Sequence, residues 1–482
     1  LEYHQDTQKE ELINSALKLC CISIDNIKWG LLYSGAGIYQ SIEEKEFKKI
    51  VNSFDVNYES KDLIDNIVLL KCSYKKGKPF LPFVDSNSSG KYVWDSNSFN
   101  KTIYPLAQSF SILSLLKAMD LLKSQDSLLS YLMHLTAQNF YDFATTYMRN
   151  EDGLFIAVED KTRNINDELK IKTIQKEAKI IDQILMHEAL LYLYNSSLAY
   201  NSDTPSIERY KIEKDNLFNF IFENCNQILE MSSKEISLII SSLSRCYDIT
   251  RNDEEKTKYH LLVFLLCAEL ESRIKITGEI QRSCLDTIIS SIITHFRALS
   301  ALLEGYHITR MENFKDAAIR IYNTLLDLYD PYYSLFIQGN YSKISYSIRD
   351  IAEIIKSLLL VYISTQDEKA LKILNDFYTF TIENSSIIPS ISQRKTNFMN
   401  YEVTMPEIIP NTLDVYKAPV FIKSFRVSCR KTPPTITPSK SYNSIYSTYS
   451  SYIFLYYLSK IIEPKKSIEE ILNESTEDNS NI

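Results

Sequence analysis

Lys91-Tyr92-Val93-Trp94-Asp95 places aromatic rings beside a carboxylate. That pairing suits sugar chemistry: an aromatic face stacks on a pyranose ring while a neighbouring acid moves a proton. Trp94 is one of only two tryptophans in 482 residues, which makes its place in a long connection conspicuous. The competing reading is a loop tryptophan packed against helices. Glu159-Asp160 follows shortly after Phe155, and Asp182 and Asp350 lie further on. Cleaving a glycosidic bond takes two carboxyl groups ~5–9.5 Å apart. Sequence supplies such groups but not their separation. Asp95 with one of Asp160, Asp182 or Asp350 forms the candidate acid–base pair. Tyr92, Trp94 and Phe155 form the candidate stacking surface. Carboxylates near helix starts also favour the helix dipole, so a structural role for Asp182 and Asp350 stands beside the catalytic one.

Charge points to what such a site would hold. The chain is acidic overall, with a formal charge of −8, which argues against nucleic acid as a partner. Two stretches reverse the sign. Lys71-Cys72-Ser73-Tyr74-Lys75-Lys76-Gly77-Lys78 is basic, and residues 390–441 carry eight Lys or Arg against three Asp or Glu. A basic rim on an acidic protein suits an anionic ligand such as an acidic polysaccharide, with Arg349, Lys423 and Arg426 as candidate binding residues. The plainer alternative is a solvated loop.

Other chemistries lack their residues. There is no Walker loop, GxGxxG, HExxH or GxSxG, which disfavours nucleotide hydrolysis, dehydrogenation and zincin proteolysis. The eight cysteines show no CxxC pair and sit mostly in apolar patterns, as reduced structural thiols do. Unpaired thiols lean towards the cytoplasm, although the first residue is Leu1 and a removed leader remains compatible. Six histidines are too scattered for a metal site. His187 and Glu188 are neighbours and do not share a helix face, while His134, His260 and His295 read as core residues. No metal or cofactor is expected.

These residues need elements to position them. Nine glycines in 482 residues disfavour folds built on tight turns and phosphate loops. Helical periodicity recurs throughout. It predicts about twelve helices near 8–24, 104–123, 126–149, 178–200, 206–230, 234–249, 253–276, 280–304, 310–329, 346–364, 367–384 and 443–463. Pro105 suits a first turn, Ser206 and Ser232-Ser233 suit caps, and Gly305 and Asp330-Pro331 suit stops. The uncharged run Ser441–Ser459 is rich in Ser and Tyr, so it reads as a buried helix and not as a membrane span. Residues 1–466 read as one helical domain with long connections at 25–103, 150–177, 330–345 and 385–442. Residues 467–482 read as an acidic, disordered tail. The Ile, Lys, Asn and Tyr content suits a low-GC bacterium.

Connection lengths carry the architecture. Short connections follow 123, 200, 249, 304 and 364, and each long segment precedes a helix of the same parity. A weak repeat agrees. Gly153-Leu154-Phe155-Ile156 precedes Asp182, Leu190, Leu191 and Tyr194; Ser334-Leu335-Phe336-Ile337 precedes Asp350, Leu358, Leu359 and Tyr362, with identical offsets from each Asp. Five hairpins form between 104 and 384, and pairing the first helix with the last makes a sixth. Over residues 8–463 the chain thus resembles, in architecture, the all-α (α/α)6 toroid superfamily of glycoside hydrolases, polysaccharide lyases, epimerases and cyclases. The alternative is an open helical solenoid. The resemblance implies a site on the face where the long loops enter. The expected function is a glycoside hydrolase or lyase-like enzyme acting on an anionic or amino-sugar polymer through paired carboxylates and an aromatic cleft. The alternative function is a non-catalytic scaffold that binds a peptide, protein or glycan.

Overall fold

The computed structural model describes residues 2–40, 42–54, 67–81, 93–163, 167–200, 203–339, 342–389, 392–407, 416–429 and 434–462. Twelve long helices dominate it: α1 (Glu2–Ile27), α2 (Pro105–Leu122), α3 (Ser127–Tyr147), α4 (Ile180–Ala199), α5 (Thr204–Glu223), α6 (Ser233–Ile249), α7 (Asp253–Ser272), α8 (Ile292–Thr309), α9 (Glu312–Leu326), α10 (Ile348–Thr365), α11 (Glu368–Tyr378) and α12 (Ser444–Ile462). The even-numbered helices form an inner ring in which each packs on the next and α12 packs on α2. The outer helices α3, α5, α7, α9 and α11 each pack on the inner helix that precedes them, and α1 packs on α12. The ring is therefore a closed (α/α)6 toroid, and the solenoid alternative fails at the contact between α1 and α12.

That closing contact has a polar clasp. The buried Asn26 donates to Ser451 Oγ (2.7 Å) and accepts from Ser447 Oγ (2.8 Å) and from the Phe421 backbone amide (2.8 Å). One amide joins the first helix, the last helix and the loop between them. Each such buried bond contributes ~1 kcal/mol, and an unmade one costs more.

Local signals start the helices. Asp126 accepts from the Leu129 amide, and Asn252 from the Glu254 and Glu255 amides. Ser232 with Glu235, and Ser347 with Asp350, form reciprocal capping boxes. The α5 start differs from expectation: Asp203, not Ser206, is the cap, and Pro205 sits in the first turn. The segment read as one helix over 206–230 ends at Glu223, and a separate short helix, Cys225–Leu229, follows.

The largest correction is at 280–304. Residues 280–291 bridge backwards to 274 and 281 in extended turns, and α8 begins only at Ile292. Gly305 consequently lies inside α8. It stops nothing; it allows close helix packing, because a Cβ there would stand 2.2 Å from Cys267 Sγ. The long connections also contain short antiparallel strands that helical periodicity does not reveal, such as Lys343–Ser347 with Ser424–Ser428 and Thr435–Pro438.

All six inner helices begin at the end where the long connections arrive. The backbone before three of them is pinned by the fourth residue of the helix. Gln108 bonds the amide and carbonyl of Ser73, Gln183 those of Phe155, and His295 Nε2 accepts from Ile280. Tyr346 does the same for Phe336 just before α10. Phe155 and Phe336 are equivalent positions of the sequence repeat. No helix among the described residues is long and apolar enough to cross a membrane.

Candidate functional site

The axis of the ring is lined by charge, and α12 organises it. Four of its tyrosines donate to four carboxylates on other inner helices: Tyr449 to Glu353 (2.6 Å), Tyr452 to Glu188 (2.6 Å), Tyr456 to Asp248 (2.6 Å) and Tyr457 to Glu304. The waist of the ring is Glu188 on α4. It is 0% exposed and receives both Arg245 Nε (2.7 Å) and a second guanidinium nitrogen (3.0 Å), together with Ser242 Oγ (2.6 Å). Burial opposes the charge on Arg245, but Glu188 more than offsets it and holds the guanidinium well above its ordinary value. Every charge at the waist is matched.

The loop end of the axis is different. Arg297 of α8 donates to Glu353 of α10 (2.7 Å), and Lys356 Nζ stands 3.4 Å from the other carboxylate oxygen. Burial would raise Glu353, but Lys356, Arg297 and the Tyr449 hydroxyl bring it down to about 2. Glu353 is thus a fixed negative charge. Arg349, one turn earlier on α10, lies 4.8 Å over the Tyr449 ring, and its Nε is buried without a hydrogen-bond partner. Desolvation and then the Arg297 charge lower its affinity for a proton. Lys234, the second residue of α6, is lowered by desolvation and then by Arg297 and Arg349. Neither Lys234 nor Arg349 makes an ion pair within 4 Å among the described residues. The nearby acids Asp350 and Glu235 are occupied in capping boxes. The result is a surplus of positive charge where the inner helices begin.

The predicted residues fall into separate settings. Tyr92 lies outside the described residues. Trp94 is 1% exposed and edge-packed on Tyr442 at 4.9 Å, so it presents no stacking face. Phe155 is fully buried with Arg149 over its ring, and it too has no face for a ligand. Asp95 accepts from the Asn97 amide within its own turn (3.0 Å). Asp160 is buried and bonded to the Tyr74 hydroxyl and the Thr162 amide, with Lys101 at 3.7 Å. Asp350 is bound to Ser347 N (3.0 Å) and Oγ (2.7 Å). No two of these carboxylates share a partner among the described residues. Lys423 and Arg426 flank the strand that leads to α10. The Lys423 carbonyl accepts the first amide of α10, and Arg426 is exposed. Arg349 alone of the predicted set enters the cationic cluster.

Asp182 stands apart. It is 5% exposed, and its carboxylate makes no hydrogen bond among the described residues. Burial raises its pKa from 3.8 to about 7, against a weaker pull from Lys179. A carboxyl group balanced near neutrality can give and take a proton. One turn further on, Met186 meets Ser109 of α2, so Asp182 lies on the α2-facing side of α4.

Lys234, Arg297, Glu353 and Tyr449 were missed in the sequence reading. Their signal was charge at helical spacing inside apolar helices, as in Arg349, Glu353 and Lys356 of α10. Among the histidines, His134 and His295 are buried and bonded as expected, but His260 is exposed.

The fold places the chain among (α/α)6 toroids. It aligns with a D-mannose isomerase at TM-score 0.56, with 9% identity over 86% of this chain and 97% of the other. It aligns with cellobiose 2-epimerases from Spirochaeta thermophila (TM-score 0.54, 10% identity, 81% and 91% covered) and Bacillus thermoamylovorans (0.53, 11%, 86% and 98%). At these identities the likeness establishes the shared fold. No family model and no curated protein matches the sequence.

Proposed function

We propose that this protein is a carbohydrate-active enzyme that holds an anionic saccharide at the loop end of the ring. The observation that carries this reading is the surplus charge of Lys234 and Arg349 beside the Arg297–Glu353 pair, with the Arg349 Nε buried and unpartnered among the described residues. A sugar carboxylate would satisfy that donor and neutralise the cluster. The structural neighbours are a sugar isomerase and sugar epimerases, which supports a saccharide over other anions. Asp182 is the group best poised to carry a proton. Cations that bind a uronate carboxylate also stabilise the charge that builds on it when the neighbouring carbon loses a proton. Lyase or epimerase chemistry therefore fits better than hydrolysis by paired carboxylates, because the predicted carboxylates occupy separate settings.

The test is turnover of uronic acid oligosaccharides beside neutral oligosaccharides of equal length. Ultraviolet absorbance reads elimination, reducing-end assay reads hydrolysis and proton NMR reads epimerisation. The expected result is product from an acidic substrate and its loss in Arg349→Met. A protein that ignores every acidic saccharide, or an Arg349→Met variant that works as well as the parent, refutes the proposal. Binding without product would favour the scaffold reading.

A further inference from the structure

A cavity opens at the end of the ring opposite the loops, where the inner helices finish. Its volume is about 210 Å³, larger than the ~150 Å³ that suffices for a benzene-sized guest. Ile308, Leu360 and Ile363 give it apolar walls. Two acids, Asp248 and Glu304, and two bases, Arg245 and Lys460, line it together with His307 and Ser244. Glu304 is buried and accepts from the hydroxyls of Ser241 and Tyr457, but makes no ion pair among the described residues. Asp248 accepts from Tyr456 and pairs with Lys460 at 3.2 Å. Arg245 is committed to Glu188. His307 is held neutral, its pKa lowered to about 4 by burial and then by Arg310 and Lys460. Ser244, 5% exposed, lines the cavity with a hydroxyl that has no partner among the described residues.

The cavity already shows what it accepts. Lys460 Nζ lies 4.4 Å from the centre of the Tyr456 ring and 5.9 Å from that of Tyr457, against the Asp248 carboxylate. An ammonium on two tyrosine faces beside an acid is a cation site. Lys460 and Asp248 are both about half exposed, so this internal cation can swing out. Glu304 has no direct ion pair among the described residues; Lys356 Nζ reaches only its partner Ser241 Oγ (3.3 Å).

We propose that this cavity is a second ligand site, separate from the loop-end cluster, that takes a small organic amine with an apolar body. The ammonium would lie between Asp248, Glu304 and the Tyr456 and Tyr457 rings, displacing Lys460, with Ser244 as a further partner. The apolar body would fill the space against Ile308, Leu360 and Ile363.

Calorimetric titration of the whole protein with 2-phenylethylamine tests this, with 2-phenylethanol as the uncharged match. The amine should bind saturably and the alcohol about tenfold more weakly or worse. Lys460→Met removes the internal competitor and should tighten amine binding about threefold or more. Ile363→Trp fills the cavity from a half-buried position and should abolish binding. Neither variant disturbs the buried Glu304, so loss of fold does not confuse the result. The absence of saturable binding in both parent and Lys460→Met overturns the proposal, as does equal binding of the alcohol or undiminished binding in Ile363→Trp.

Discussion

The waist of the ring and its loop end are built from the same materials and do opposite things. At the waist, Glu188 and Arg245 meet bidentately, and Ser242 and Tyr452 fill the remaining sites on the carboxylate. At the loop end, one Glu353 faces Arg297 and Lys356, while Arg349 and Lys234 have no acid of their own. Matched charge fixes how inner helices sit against one another; unmatched charge is what we propose a ligand neutralises. Buried charge alone therefore does not mark a site. The surplus does.

This contrast can be broken by mutation. Glu188→Ala strands the Arg245 guanidinium in the core and should cost about 3–5 kcal/mol in chemical denaturation. Replacing both residues with methionine should cost much less, since no charge is left behind. Equal losses would show that the waist depends on packing and not on pairing.

Asp182 gives the next largest effect, through pH. Its folded pKa is about 7 against 3.8 unfolded, so between those values the folded protein holds a proton that the unfolded chain releases. Its contribution to stability is greatest below about pH 4, falls as pH rises to about 7 and is flat above. Asp182→Asn should remove this slope and stabilise the protein at neutral pH by on the order of 2–4 kcal/mol, from ~1.4 kcal/mol per unit. His134 and His307, lowered to about 4, act the other way. The difference between parent and variant, measured from pH 4 to 8, isolates Asp182. Parallel curves would mean that Asp182 ionises normally.

Arg349→Met should leave stability within about 1 kcal/mol, because the residue sits among like charges, yet weaken an acidic oligosaccharide about tenfold or more. Equal losses of stability and binding would place Arg349 in the scaffold with Arg245. The smallest effect is at the cap. Ser347→Ala should cost about 1 kcal/mol, and Asp350→Asn should keep full turnover if Asp350 serves only the helix start. A collapse of turnover in a stable Asp350→Asn protein would return that residue to the chemistry.

The ring was legible in the sequence because parity is a one-dimensional property. Long connections precede alternate helices, and an even count with unpaired termini asks for closure. Helix starts were legible where capping residues are local, as at Ser232 and Pro105. They failed at 280–291, where apolar spacing mimics a helix but the chain bridges back on itself. The loop-end cationic cluster was only partly legible. Arg349 was named, whereas Trp94 and Phe155, candidates for a stacking surface with a packed loop tryptophan as the alternative, lie in the core. An aromatic in a loop has the same letters whether it faces a ligand or a helix.

By itself the sequence determined the helices, their alternation, the pairing of first with last and the end to which the long loops belong. These rest on periodicity and segment length, which neighbours along the chain define. Tertiary structure alone decided which charges are matched. Glu188 meets Arg245 across 57 positions, Tyr452 reaches Glu188 across 264, and Lys234, Arg297 and Arg349 come together from three helices. Whether a charge is neutralised or left over depends on distances of a few ångströms between distant segments, and those exist only after the ring has closed.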